Sequence, residues 1–272
     1  MTTDAPDDAD AAPADAGAPK RRRRGIRILA WVLGSLLALV VVAVVGLVIW
    51  SQVGVLAAEP EPLAAVRADP GIRITDDSAA IVMQPADEPA DDVGLVFIPG
   101  GKVDPWAYAS KLSQLVTDTG MTIVITKPWL NLAFFDLRPL SAFTDLVPGI
   151  DTWIVGGHSL GGVRSCQLAG DADALALFAS YCANDLSGTD LPVLSLSGSE
   201  DGLSTPQKIA DAAHLLPADA VFTEIPGASH SSFGDYDLQP GDGTLTIDDA
   251  AMRTAVTHAV EALAVEAADG AP

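Results

Sequence analysis

Apolar residues are distributed along this chain in three patterns, and each predicts a different kind of element. The first is an unbroken run from Ile26 to Trp50 in which Arg27 is the sole charge. Its stretch from Ile28 to Trp50 is 23 residues, about 35 Å as a helix against roughly 30 Å of hydrocarbon in a bilayer. The second is a series of short continuous runs: Ala80 to Met83, Gly94 to Ile98, Met121 to Ile125, Asp151 to Val155, Ala174 to Ser180, Pro192 to Leu196 and Val221 to Ile225. Rich in branched aliphatic residues, these read as strands. The third is helical spacing. Trp106, Ala109, Leu112, Leu115 and Val116 share one side of a helix over Asp104 to Thr119, Gln207 to Leu215 reads as helical, and Ile247 to Val265 reads as a closing helix. Apolar strands separated by helices predict an α/β domain on a mostly parallel central sheet with helices on both faces.

The same patterns divide the chain. Residues 1–25 are expected to be a disordered cytoplasmic tail of Asp, Ala, Pro and Thr ending in the basic cluster Lys20 to Arg24, and 26–50 a transmembrane helix. Residues 51–70, rich in Ala, Glu and Pro, are expected as a linker, 71–267 as the folded domain and 268–272 as a tail. Trp31 and Trp50 lie near the two ends of the span, where interfacial aromatics sit. The basic cluster precedes the span, so the positive-inside rule places the N-terminus in the cytoplasm and the domain outside, in a single-pass cell-membrane protein. A cleaved signal peptide, with Val55-Leu56-Ala57 at the cleavage site, is the rival and would make the domain secreted. The apolar run is longer than the 7–15 residues of a usual signal core. Arg24-Gly25-Ile26-Arg27 fits a twin-arginine signal poorly.

Composition narrows the function classes. Residues 51–272 carry nine basic and thirty-one acidic side chains. Such a surface repels phosphate backbones, so no nucleic-acid partner is expected. Two cysteines exclude a disulfide scaffold and a Cys-rich zinc module, and no spacing fits a metal site, a P-loop or a dinucleotide fingerprint. No metal and no cofactor are expected.

The chemistry is carried by Gly157-His158-Ser159-Leu160-Gly161, placed directly between a strand and a helical stretch. A nucleophile elbow holds its Ser at the tip of a strand, with small neighbours because strand and helix pass so close, and with the helix N-terminus facing the charge that develops. A Ser hydroxyl needs a base. His158 lies within the elbow, where the turn aims its ring elsewhere. His214 and His258 lie on helical stretches, whereas His230 follows the last strand in a loop of small residues at the edge where Ser159 sits. The carboxylate that orients the base is expected between them, after a strand. Asp201, in Gly198-Ser199-Glu200-Asp201-Gly202, fits, with its neighbour Glu200 and the earlier Asp185 as alternatives.

With Ser, Asp and His each following a successive strand, the chain resembles the α/β-hydrolase superfamily over about residues 78–266, on Gly157-His158-Ser159-Leu160-Gly161, Gly198-Ser199-Glu200-Asp201-Gly202 and Gly227-Ala228-Ser229-His230. It looks nearest to small, uncapped, dienelactone-hydrolase-like members. The resemblance implies an α/β-hydrolase fold without a lid domain, since only about ten residues separate Tyr181 from Pro192. It implies catalytic Ser159, Asp201 and His230, and an oxyanion hole from the backbone N–H groups of Leu160 and Gly101. The family often has His-Gly where this chain has Pro99-Gly100, which leaves the second donor less fixed than the first. Lys102, beside Gly101, either meets an acidic group of the substrate or is a solvated loop lysine. Trp106, Tyr108, Trp129, Phe134 and Phe135 either line the cleft or join the core. Cys166 and Cys182 become neighbours in this fold, as a disulfide worth about 3 kcal/mol or as two buried thiols.

The expectation is an extracytoplasmic serine hydrolase for carboxylic esters, small or lipid-like, held to the membrane by its N-terminal helix. Acyl transfer to a cell-envelope acceptor by the same triad, and a non-catalytic binding module on the same fold, are the alternatives.

Overall fold

The computed structural model describes residues 2, 20–87 and 92–270. The tail expected over residues 1–25 therefore lies, up to residue 19 and Thr2 aside, outside the described residues, as do positions 271–272. The chain forms two compact units, Met1–Ile49 and Trp50–Pro272. The first is the bulk of helix α1 (Lys20–Gln52), which reaches back through the basic cluster. Within Arg24–Gln52 an 18-residue window reaches a mean hydropathy of 3.0 and is unburied, and among the described residues this is the one helix long and apolar enough to cross a membrane.

The second unit is built on strands β1 (Ile72–Asp76), β2 (Ala80–Pro85), β3 (Val93–Ile98), β4 (Thr122–Thr126), β5 (Thr152–His158), β6 (Ala174–Phe178), β7 (Val193–Gly198) and β8 (Val221–Ile225). They form one eight-stranded sheet in the order β1-β2-β4-β3-β5-β6-β7-β8. β2 runs antiparallel to both its neighbours, and all other pairings are parallel. The helices are α2 (Pro60–Ala68), α3 (Ala109–Thr119), the single turn α4 (Ser141–Thr144), α5 (Leu160–Leu168), α6 (Pro206–Ala212) and α7 (Asp249–Gly270).

Period-two alternation sorts each strand between two apolar layers. Leu95 and Phe97 of β3, Ile123 and Ile125 of β4, and Leu194 and Leu196 of β7 pack with Leu112 and Leu115 of α3 and Val256 and Val260 of α7. Val96, Ile98, Val124, Val155, Leu175 and Leu177 pack on the other face with Phe143 of α4 and Cys166 and Leu168 of α5. Both faces are covered, which is why these strands read as continuous apolar runs. Lys111 of α3 is buried, 2.9 Å from Asp235 and paired also with Asp249 at the start of α7. This fixes the two helices on one face to the chain that follows His230.

The segment expected as a linker is part of the domain. Pro60 opens α2, whose Val66 is buried in the core. Before it, Leu56 bridges Val103 in parallel and Ala58 bridges Tyr236 in antiparallel fashion. Between β6 and β7, residues 179–192 hold no helix or strand, so no lid domain stands over the sheet edge there.

Candidate active site

β5 delivers Ser159 to the C-terminal edge of the sheet, where the chain reverses into α5. Ser159 has φ 51° and ψ −120°, a left-handed conformation that a β-carbon disfavours. The turn persists because its surroundings hold it: Ser159 N–H donates to the Phe178 carbonyl at 3.0 Å, and its own carbonyl accepts from Ser180 Oγ at 2.7 Å. Gly161 is required by proximity, since a β-carbon there would lie 2.0 Å from the Ile98 carbonyl oxygen. Ser159 is half-buried, and its Oγ makes no hydrogen bond among the described residues.

His230 opens a short 3-10 turn, His230–Phe233, after β8, capped reciprocally by Ser229 and Ser232. Its Nδ1 is 2.8 Å from Asp201 Oδ2, and both side chains are almost fully buried. Asp201 is aimed by the turn it occupies, where Oδ1 accepts the Leu203 and Ser204 N–H groups, each at 2.7 Å. A carboxylate only accepts, so Nδ1 carries the proton and Nε2 is the nitrogen able to take one up. The alternatives lie elsewhere. Glu200 and Asp185 are exposed and bond to Ser199 and Ser187. His214 and His258 are exposed on the surface.

Gly101 and Leu160, the expected oxyanion donors, are neighbours: a β-carbon on Gly101 would stand 3.1 Å from Leu160 Cδ2. The Gly101 N–H donates to no group among the described residues, and the Leu160 N–H opens a helix, where backbone donors have no partner within the helix. Lys102 is engaged by the end of α1 and the residue just after it. Its Nζ donates to the carbonyls of Trp50 at 2.9 Å and Val53 at 3.1 Å and lies 3.7 Å from the centre of the Trp50 ring. These contacts tie the loop that follows β3 to the end of α1. Of the aromatic residues, Tyr108 is in the core, Trp106 is partly buried, and Trp129, Phe134 and Phe135 are exposed. Cys166 and Cys182 are joined as a disulfide, with Cα atoms 5.6 Å apart.

Two further parts of the site are given no role by the sequence alone. His158 lies beneath the elbow, its ring 4.5 Å from that of His230. Its Nε2 meets the His230 carbonyl at 3.1 Å, and its Nδ1 meets Tyr108 Oη at 3.0 Å. Burial, then the neighbouring His230, holds this imidazole well below its ordinary pKa of 6.5. It is therefore neutral, and because a carbonyl only accepts, Nε2 carries the proton. Tyr108 then donates to Nδ1 and accepts the Gly100 N–H at 2.9 Å. One buried relay thus joins the loop before Gly101 to the backbone of His230. The second part is Asp242. Its carboxylate accepts the N–H groups of His230 at 2.9 Å, Ser231 at 2.8 Å, Gly243 at 2.7 Å and Gly202 at 3.3 Å. Burial alone would raise its pKa, but these N–H groups outweigh burial and hold it below the ordinary 3.8. Asp242 sits in Gly241-Asp242-Gly243, a turn signature that carries no catalytic spacing. Among the described residues no group of three or more His, Cys, Asp or Glu side chains is placed to hold a metal ion.

The assembly consists of a strained serine at a strand–helix turn, a buried His–carboxylate pair on the next loops and two unpaired N–H groups. It has the parts needed to attack a carbonyl and to stabilise the resulting oxyanion. A comparison with curated proteins gives no match. The family model described as alpha/beta hydrolase matches residues 94–254, from β3 into α7 and over more than half of the chain. The chain belongs to the alpha/beta hydrolase family.

Proposed function

We propose that the protein is a membrane-anchored, extracytoplasmic serine hydrolase that cleaves carboxylic esters. The observation that carries this reading is Ser159, held at φ 51° between β5 and α5 beside the loop of the His230–Asp201 pair. Ser159 Oγ attacks the ester carbonyl while His230 Nε2 takes its proton. Asp201 keeps the imidazole oriented and stabilises it when protonated. The N–H groups of Gly101 and Leu160 receive the oxyanion. Collapse expels the alcohol, to which His230 returns the proton, and leaves an acyl-Ser159. A water molecule, deprotonated by His230, then releases the acid and restores the hydroxyl.

Helix α1, with its basic cluster on the N-terminal side, supports an anchor with the domain outside. The Cys166–Cys182 bridge agrees with an oxidising compartment. The short connection from β6 to β7 favours an uncapped site of the dienelactone-hydrolase-like kind. The test is the full chain in detergent, wild type beside Ser159→Ala, given p-nitrophenyl butyrate and a fluorophosphonate probe. Turnover and labelling are expected in the wild type alone. A folded wild type that neither labels nor turns over defeats this reading.

A further inference from the structure

The segment from Trp129 to Leu137, which follows β4, exposes an unusual amount of apolar surface. Trp129 is 54% exposed, Phe134 51%, Phe135 44% and Leu137 75%. The acid within this stretch, Asp136, is buried and paired with Arg138. Residues 127–138 contain two bases, Lys127 and Arg138, and this one acid, in a domain otherwise crowded with carboxylates. The loop thus exposes no carboxylate of its own and carries large aromatics outward. Exposed aromatic and aliphatic clusters of this kind mark an interaction face.

Two sets of hydrogen bonds say what the face meets. Asn131, in the middle of the loop, donates from Nδ2 to the Ser51 carbonyl at 3.2 Å. Lys102, whose N–H donates to the Asn131 carbonyl at 2.7 Å, holds the carbonyls of Trp50 and Val53 through Nζ. Trp50 ends the apolar run, so covalent continuity alone puts the point where the chain leaves a bilayer at these residues. Trp129 is two residues from Asn131 and Phe134 three, about 7–10 Å of chain at most. The loop also borders the catalytic centre, since Leu132 Cδ2 would lie 3.4 Å from a β-carbon on Gly101.

We infer that Trp129, Phe134, Phe135 and Leu137 sit in the bilayer that α1 crosses, and that Ser159 acts on long-chain acyl esters lying in that leaflet. The inference rests on the serine-hydrolase reading and extends it to a substrate class. An acyl chain drawn from the leaflet along this loop reaches Gly101 and Leu160 without crossing water. Aromatic side chains beside an anchor settle at the headgroup level, which adds affinity in proportion to the apolar area buried.

The test uses the full chain in phosphatidylcholine vesicles. An environment-sensitive fluorophore is attached at Phe135→Cys, and separately at Asp219→Cys, an exposed position just before β8 at the opposite sheet edge. The label at 135 is expected to be blue-shifted and quenched by nitroxide lipids, and the label at 219 to remain water-like. A water-like label at 135 overturns the inference, whatever the soluble-ester activity. In the second arm, a long-chain fluorogenic diacylglycerol in the vesicles is compared with soluble p-nitrophenyl butyrate. In the combined variant W129S/F134S/F135S the ratio of vesicle to soluble turnover is expected to fall roughly tenfold or more. A ratio within twofold of wild type overturns the lipid substrate. A buried label in a wild type that cleaves neither ester defeats the hydrolase reading itself, and Ser159→Ala separates the two because it abolishes turnover without touching insertion.

Discussion

At Asp242, one carboxylate gathers N–H groups from the histidine loop, at His230 and Ser231, and from the loop that carries Asp201, at Gly202. Asp242→Ala therefore frees two loops at once. Because a displacement of about 1 Å costs up to roughly 100-fold in rate, kcat is expected to fall 10- to 100-fold with KM little changed. Steady-state kinetics on a soluble ester checks this, and an unaltered kcat would remove Asp242 from the site. His158 makes a different prediction. Its imidazole is neutral in the fold and takes up a proton on unfolding below about pH 6.5, so its contribution to stability is complete above that pH and declines as pH falls. Asp242, held below 3.8, adds stability that is present above that value and is lost as pH drops through its folded value. Urea unfolding of the wild type should show both limbs. In His158→Phe the upper limb should flatten, with stability at neutral pH lower by about 2–4 kcal/mol as the Tyr108 hydroxyl and the His230 carbonyl lose their partner.

At the level of elements, the disulfide staples α5, the helix that begins at Leu160, to the chain leaving β6. The double variant Cys166→Ser/Cys182→Ser is expected to lose about 3 kcal/mol, read by chemical denaturation, with unfolding still cooperative. A loss below about 0.5 kcal/mol would mean that the bridge is ornamental to the fold. The elements legible in the sequence were those whose pattern matched their burial. β3 and β5 are buried along their whole length and read as apolar runs. β1 was missed because Ile72-Arg73-Ile74-Thr75 alternates at the sheet edge, with one side exposed. α2 was hidden in a stretch read as linker for its Ala, Glu and Pro, although Pro60 at a helix start is a recognised opening. That Ser159, Asp201 and His230 share one edge of the sheet was legible because each follows a strand of the same parallel run. Asp242, the His158 relay and the seat of Lys102 were not, because each depends on a partner distant in sequence that only packing reveals.

For the whole molecule, the residues after α1 form a strap along the loop that holds Gly101. Leu56 N–H donates to the Lys102 carbonyl at 2.8 Å, the Asp104 N–H returns a bond to the Leu56 carbonyl at 2.9 Å, and Glu59 N–H reaches the Asp235 carbonyl at 2.8 Å. Leu56→Pro removes the first of these donors while leaving anchor and triad intact. Turnover of a soluble ester is expected to drop roughly tenfold as the Gly101 N–H loses its fixed position, and wild-type turnover in this variant would show that the strap does not steady the loop. The strap also has a consequence for the fate of the domain. In the proposed topology, a protease that nicks the chain beside Leu56 sheds the domain from the cell and unties the oxyanion loop in the same cut. Such an enzyme is tethered in activity as well as in place: what diffuses away is an impaired catalyst, and ester cleavage stays confined to the surface of the cell that made it.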